Sequence, residues 1–187
     1  MKIVVGISGA SGAIYGIRIL EVLHRIGIES HVIISDAAVQ TIRHETPYTL
    51  EQVYQLATRV YNQKDIGAAI SSGSFKVSGM IVAPCSIKTL SAIANSFNDE
   101  LIARAADVQL KERRKLVLIV RETPLNLSHL QHMTLITQMG GVILPPVPSF
   151  YHLPKTIDDI VNQTVGKALD QFGIEANLFK RWTGFEE

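Results

Sequence analysis

An apolar, β-branched run over residues 2–7 breaks abruptly into Ser8-Gly9-Ala10-Ser11-Gly12-Ala13 and resumes as a helix-period pattern. That succession reads as strand, tight turn, helix, and it constrains the fold more than any other part of the chain. Such a turn gathers backbone N–H groups and the positive end of a helix dipole at one point, where an anion is stabilised. A nucleotide or flavin phosphate is the expected occupant. Gly6, Gly9 and Gly12 do not fit G-x-G-x-x-G, and no G-K-[ST] follows, so neither the dinucleotide fingerprint nor the P-loop is present. A glycine turn can also serve packing alone. Ser8 and Ser11 add donors that packing does not need, which favours the phosphate.

Further along, short apolar runs alternate with amphipathic stretches. The spacing predicts helices over residues 13–25, 36–45, 50–61, 99–114, 125–139 and 156–172, with another starting near Ser86. Strands are expected over 29–35, 79–83 (halted by Pro84), 116–120 and 142–144, with loops over 70–78 and over 145–154, where four prolines stand. All-apolar strands alternating with helices imply a three-layer α/β domain, a mostly parallel sheet covered on both faces. One domain over residues 1–187 accounts for the length, and 47% apolar with 19% charged residues excludes disorder. The tail over 173–187 carries Leu178, Phe179, Trp182 and Phe185, and is expected to pack on the domain or on a neighbouring subunit.

Charge and cysteine usage exclude several classes. A net charge of +1 provides no field for nucleic acid or a membrane surface, and no apolar run approaches the ~20 residues that span a bilayer. The single cysteine, Cys85, allows no internal disulfide and no multi-cysteine metal site, and behind an apolar run it reads as a small core residue. His129 and His132 share a helix face with no third ligand near, so no metal is expected. The cytoplasm is the default location.

In an open parallel sheet, ligands bind beyond the C-terminal strand ends. Those ends hold Ser8 to Ser11, Ser35-Asp36, Cys85 to Thr89, Arg121 to Pro124 and the proline loop, so hydroxyls and cations cluster where a ligand belongs. Ser35 or Asp36 also reads as a helix cap, and Ser86 as another with Lys88 a solvated charge. Arg121-Glu122 pairs a phosphate-gripping guanidinium with a carboxylate suited to proton transfer, unless the two are a surface ion pair. Arg104 and Lys111 lie two turns apart on one helix face, while Arg113, Arg114 and Lys115 read as solvated. Tyr151 and His152 stand where a loop could cover a site.

These segments resemble the flavin prenyltransferases of the UbiX type, once described as phenylacrylic acid or 3-octaprenyl-4-hydroxybenzoate carboxy-lyases. The matching pieces are residues 6–16, 84–91, 104–108, 110–114, 121–124 and 145–152, in order and over nearly the whole chain. The resemblance implies a flavodoxin- or Rossmann-like fold and a homo-oligomer, a dodecamer, with FMN at subunit junctions. It implies transfer of a dimethylallyl group from dimethylallyl monophosphate to N5 and C6 of reduced FMN, without metal. The prenylated FMN would then serve a UbiD-type decarboxylase. On this resemblance Gly9, Ala10, Ser11, Ser35, Ser86, Ile87, Lys88, Thr89 and Arg121 hold FMN. Arg104, Lys111, Tyr151 and Lys167 bind the dimethylallyl phosphate, and Ser11 and Glu122 assist catalysis. Many relatives carry arginine at position 167; lysine keeps the charge and lacks the bidentate fork. The competing readings are an FMN-dependent decarboxylase acting on its own substrate, a non-catalytic FMN carrier and, more distantly, a nicotinamide oxidoreductase.

Overall fold

The computed structural model describes residues 1–184. Six parallel strands form one sheet in the order β3-β2-β1-β4-β5-β6. They are β1 Lys2–Ile7, β2 Glu29–Ile34, β3 Arg59–Tyr61, β4 Gly79–Cys85, β5 Lys115–Val120 and β6 Val142–Ile143. The helices are α1 Ala13–Arg25, α2 Asp36–Glu45, α3 Leu50–Gln55, α4 Ile87–Ala94, α5 Leu101–Lys111, α6 Leu127–Gln138 and α7 Ile157–Asp170. The parallel, doubly covered sheet expected from the strand–helix alternation is what forms.

Alternation within each strand sorts the core into two layers. Ile3, Val5 and Ile7 of β1 face α1, α2 and α7, together with Val32, Ile81 and Val117. Val4 faces the opposite side with Ile33, Met80, Val82 and Leu118, against α4 and α5. Every residue of β4 is buried, as a central parallel strand requires.

Three expectations need correction. The helix foreseen over 50–61 ends at Gln55, and Arg59–Tyr61 pairs with β2 as a short edge strand. Pro84 does not halt β4, which runs on to Cys85; the pairing with β5 loses register between Val82 and Cys85, so the missing N–H falls where the ladder is already irregular. Arg114 is no solvated charge either, because its guanidinium donates to the Phe75 and Gly73 carbonyls at 3.0 and 2.6 Å and pins the loop after the Ala69–Ser71 turn.

The tail is described as far as Gly184, and Phe185 lies outside the described residues. Leu178 packs against the first core layer. Four apolar side chains of α6 and its approach, Leu125, Leu127, Leu130 and Leu135, stay exposed, and only Ile136 of that helix is buried.

Candidate active site

The sheet order reverses beside β1: the chain leaves it for β2 on one side and returns to β4 on the other. The C-terminal ends of β1 and β4 therefore border the crevice where doubly wound sheets bind ligands. Ser8 fixes this edge. Its buried hydroxyl donates to the Pro84 carbonyl and accepts from Ser86 N–H, both at 2.8 Å. Both of its hydrogen-bonding roles are thus used inside the protein, so the ligand donor foreseen at Ser8 is a structural tie instead. Ser8→Ala should destabilise the fold by about 1–3 kcal/mol, read as a lower urea midpoint, because the Pro84 carbonyl and the Ser86 amide lose a buried partner together.

The turn that follows depends on small residues. Gly12 caps α1 with a left-handed φ of 97° and offers no side-chain cap; Tyr15 N–H bonds the Gly12 carbonyl at 3.0 Å, and the amides of Ala13 and Ile14 ahead of it face the turn without a side-chain cap. A Cβ on Gly9 would lie 2.4 Å from Ala37 Cβ, and one on Gly16 would lie 2.3 Å from the Ala83 carbonyl oxygen. Helix α1 therefore rides directly on β4, and the turn on the start of α2.

Two adjoining clefts open here. The first, about 400 Å³, is lined by Gly9, Ser35, Asp36, Ala37, Gln63, Ser86, Lys88, Thr89 and Glu100. The N-termini of α2 and α4 both point into it. Ser35 caps α2, accepting from Ala38 N–H at 3.1 Å, and Ser86 caps α4, accepting from Thr89 N–H at 3.3 Å with its oxygen 3.0 Å from the Thr89 hydroxyl. Capping and ligand binding are compatible, since a hydroxyl that accepts one bond still has a proton to donate. Two helix dipoles converging on hydroxyls suit a phosphate and a ribityl chain. Lys88 is exposed, as a solvated charge would be, and it also meets Glu100 at 2.6 Å, a bond that raises its pKa. Ile87 packs into the second core layer beneath the cleft.

The second cleft, about 540 Å³, is lined by Ser11, Gly12, Tyr15, Arg121, Glu122, Thr123, Pro145 to Pro148, Ile157 and Val161. Its walls are largely apolar, as a flat aromatic ring system needs. Ala10, half-buried, lies on the turn between the clefts. Arg121 and Glu122 are exposed at the end of β5 and form no ion pair with each other; Glu122 instead accepts from Thr123 N–H at 3.0 Å. Burial raises the Tyr15 pKa, against the opposing influence of the Arg121 charge and of a bond to Thr164.

The other sites foreseen lie elsewhere. Arg104 and Lys111 line a separate polar cleft with Ser71 to Ser74, where Arg104 bonds Asp107 at 3.2 Å and Lys111 pairs with Glu112. Lys111 ends α5 just before the start of β5, whereas Arg121 follows its end. The six-residue strand between puts them about 20 Å apart along the sheet, too far to grip one phosphate within a chain. Tyr151 is exposed on the proline loop and Lys167 is exposed on α7.

Burial pushes the Cys85 thiol up, which removes it as a nucleophile. His129 closes a capping box with Asn126, a structural task. Among the described residues no group of three His, Cys, Asp or Glu could hold a metal ion, and no helix is long and apolar enough to cross a membrane.

Sequence reasoning missed Glu45, whose carboxylate accepts from Gly12 N–H at 2.7 Å and so stands at the mouth of the turn. It also missed Tyr15, Gln63 and Glu100. Nothing in the linear spacing marks these residues, because only the fold brings the end of α2 back to the end of β1.

Comparison with known proteins agrees with this geometry. The family described as Flavoprotein matches residues 1–169. The flavin prenyltransferase UbiX of Thauera aromatica is 64% identical over 187 residues, covering all of this chain and 96% of the relative. A UbiX protein (PadA1) solved in complex with FMN and dimethylallyl pyrophosphate superposes with a TM-score of 0.97 at 50% identity, over 99% of this chain and 98% of that one. A dodecameric FMN-dependent UbiX-like decarboxylase from Escherichia coli O157:H7 superposes at 0.96 with 48% identity, over 98% of this chain and all of the other. With a Rossmann strand order, two clefts at its switch point and identity of this extent over the full length, the chain belongs to the UbiX family of flavin prenyltransferases.

Proposed function

We propose that this protein, acting as one FMN-binding domain over residues 1–187, transfers a dimethylallyl group from dimethylallyl monophosphate to reduced FMN. The observation that carries the reading is the pair of adjoining clefts at the β1/β4 edge, one lined by hydroxyls and helix N-termini, the other apolar and flanked by Arg121 and Glu122. Their shapes and donors fit FMN: phosphate and ribityl chain in the first, ring system in the second. Bound and reduced, FMN supplies the nucleophilic N5 and C6 that accept the prenyl carbons.

The chain's residues do the rest. Gly9, Ala10, Ser35, Ser86, Lys88 and Thr89 hold the flavin's polar arm, with Ile87 as their apolar support, and Ser11 and Arg121 face the ring. An allylic phosphate ionises readily once its departing charge is stabilised, so cations matter more here than a strong nucleophile. Tyr151 and Lys167 bind that phosphate, joined by Arg104 and Lys111 from another copy of the chain, whose own cleft Tyr151 and Lys167 do not line. Glu122 carries the proton released when the ring is alkylated, and Ser11 orients the reacting edge. The dodecameric relative supports a site completed between subunits, and the exposed leucines of α6 provide an apolar face for such assembly. The solved relative holds dimethylallyl pyrophosphate, which supports a prenyl phosphate as donor; the monophosphate is the finer part of the proposal. A UbiD-type decarboxylase in the cytoplasm is the proposed recipient of the product.

Anaerobic incubation with reduced FMN and dimethylallyl monophosphate, followed by mass spectrometry of the flavin, tests this reading. A flavin heavier by one prenyl unit is expected. Unchanged flavin would leave a carrier, and carbon dioxide released from added aromatic acids would point to a decarboxylase acting directly. Arg121→Ala should weaken FMN binding roughly tenfold to a hundredfold, from the loss of one charge-assisted contact. Flavin retention through gel filtration and a fluorescence titration measure it, and wild-type affinity would remove Arg121 from the flavin site.

A further inference from the structure

Beyond α7 the chain turns at Gly173, whose φ of 68° is left-handed, and runs back across the domain. Three contacts fasten this returning segment. Phe179 lies in a slot left by Gly166, where a Cβ would stand 2.4 Å from its ring. Arg181 grips Asp170 with both nitrogens, Nη1 to Oδ2 at 2.9 Å and Nη2 to Oδ1 at 2.6 Å. Trp182 meets Tyr151 edge to face, with ring centroids 5.8 Å apart and planes at 68°. Arg181 also sits over the Phe179 ring at 5.5 Å, which ties the first two contacts together.

The segment thus adds a tie between two elements that already adjoin in sequence. One is α7, which carries Lys167; the other is the proline loop, which carries Tyr151. The loop has little core of its own, for Phe150 and Leu153 around Tyr151 are 70% and 78% exposed. A gap of about 230 Å³ separates loop from segment, bordered by Tyr151, Leu153, Arg181 and Trp182, so the Trp182 ring is a principal support on that side of Tyr151. The bidentate fork matters because it fixes orientation as well as distance, which a single point charge does not. Its hydrogen bonds hold the Asp170 carboxyl below the usual carboxylate range.

We propose that Asp170 and Arg181 are positioning residues for the prenyl donor: their paired contact clamps the C-terminal segment so that Trp182 holds Tyr151 in place over Lys167's end of the site. The proposal rests on the reading above that Tyr151 and Lys167 bind the donor's phosphate. Neither residue touches flavin or donor. Their effect passes through Trp182, and it falls on donor binding and spares FMN, whose clefts lie at the β1/β4 edge.

The test uses the full-length protein with two single variants, Arg181→Gln and Asp170→Asn, and the double exchange Arg181→Asp with Asp170→Arg. Steady-state rates against dimethylallyl monophosphate are read together with bound flavin and acrylamide quenching of Trp182, the chain's only tryptophan. Both single variants should raise KM for the donor roughly tenfold or more through misplacement of Tyr151, with kcat changed less. Both should keep wild-type flavin content and raise the quenching of Trp182 above that of the half-exposed wild-type ring, and the double exchange should restore KM and quenching together. Wild-type KM in the single variants overturns the proposal whatever the quenching shows. Loss of flavin alongside the donor defect, or a double exchange that restores nothing, overturns it as well. A wild-type protein that forms no prenylated flavin defeats the functional reading itself, an outcome seen without any variant.

Discussion

Glu122→Gln is expected to retain its flavin and lose turnover by roughly 10²–10⁴-fold, the usual contribution of a positioned acid–base group. The substitution keeps the side chain's length and the oxygen that accepts from Thr123 N–H, so the loop after β5 has no reason to move. What disappears is the capacity to take and return a proton beside Ser11 and Arg121, which share its cleft. Flavin absorbance of the purified variant checks the first half of the expectation. Single-turnover formation of prenylated flavin under anaerobic conditions checks the second. A wild-type rate would assign the proton to another carrier, with Glu45 at the α1 turn next in line.

Gly16→Ala should unseat helix α1 from the central strands and lower stability and flavin content together. The new carbon would stand 2.3 Å from the Ala83 carbonyl oxygen and 2.8 and 2.9 Å from two carbons of Ile7. The first of these is backbone in the central strand and cannot swing aside, so α1 must lift from β1 and β4. Overpacking of this kind costs about 1–3 kcal/mol, and a domain of this size loses roughly 2–4 °C of Tm per kcal/mol. The displaced helix carries Gly12 and Ser11 with it, so flavin content should fall in step with the midpoint. Calorimetry and flavin occupancy measure the two; an unchanged Tm would mean that the helix has room the geometry does not show.

The parts of this molecule that were legible in the sequence are those set by local chemistry. The strand–turn–helix opening, the caps at Ser35, Ser86 and Thr156 and the end of α1 near Gly27 are all written in residue types at fixed offsets. Strand β3 was not legible because Val53, Tyr54 and Leu56 continue a helical spacing into a three-residue edge strand, and pairing with β2 alone decides its state. Pro84 misled for the opposite reason: it breaks a ladder in general, but here the ladder is already irregular. Ser8 looked like a ligand donor until the fold supplied Pro84 and Ser86 as partners. The separation of Lys111 from Arg121 is a matter of which end of β5 each occupies. The resemblance already assigns them to different ligands, and the topology adds that Lys111 and Arg121 stand at opposite ends of β5.

That separation has a genetic corollary. On the proposed site, which Arg121 of one copy and Lys111 of another complete, chains disabled at either residue should fail at different halves of it, so neither should assemble a working one alone. Co-expressed, they should form hybrid assemblies in which some of the proposed junctions unite two sound halves. A cell carrying both defective alleles should therefore recover part of the activity that either allele by itself abolishes.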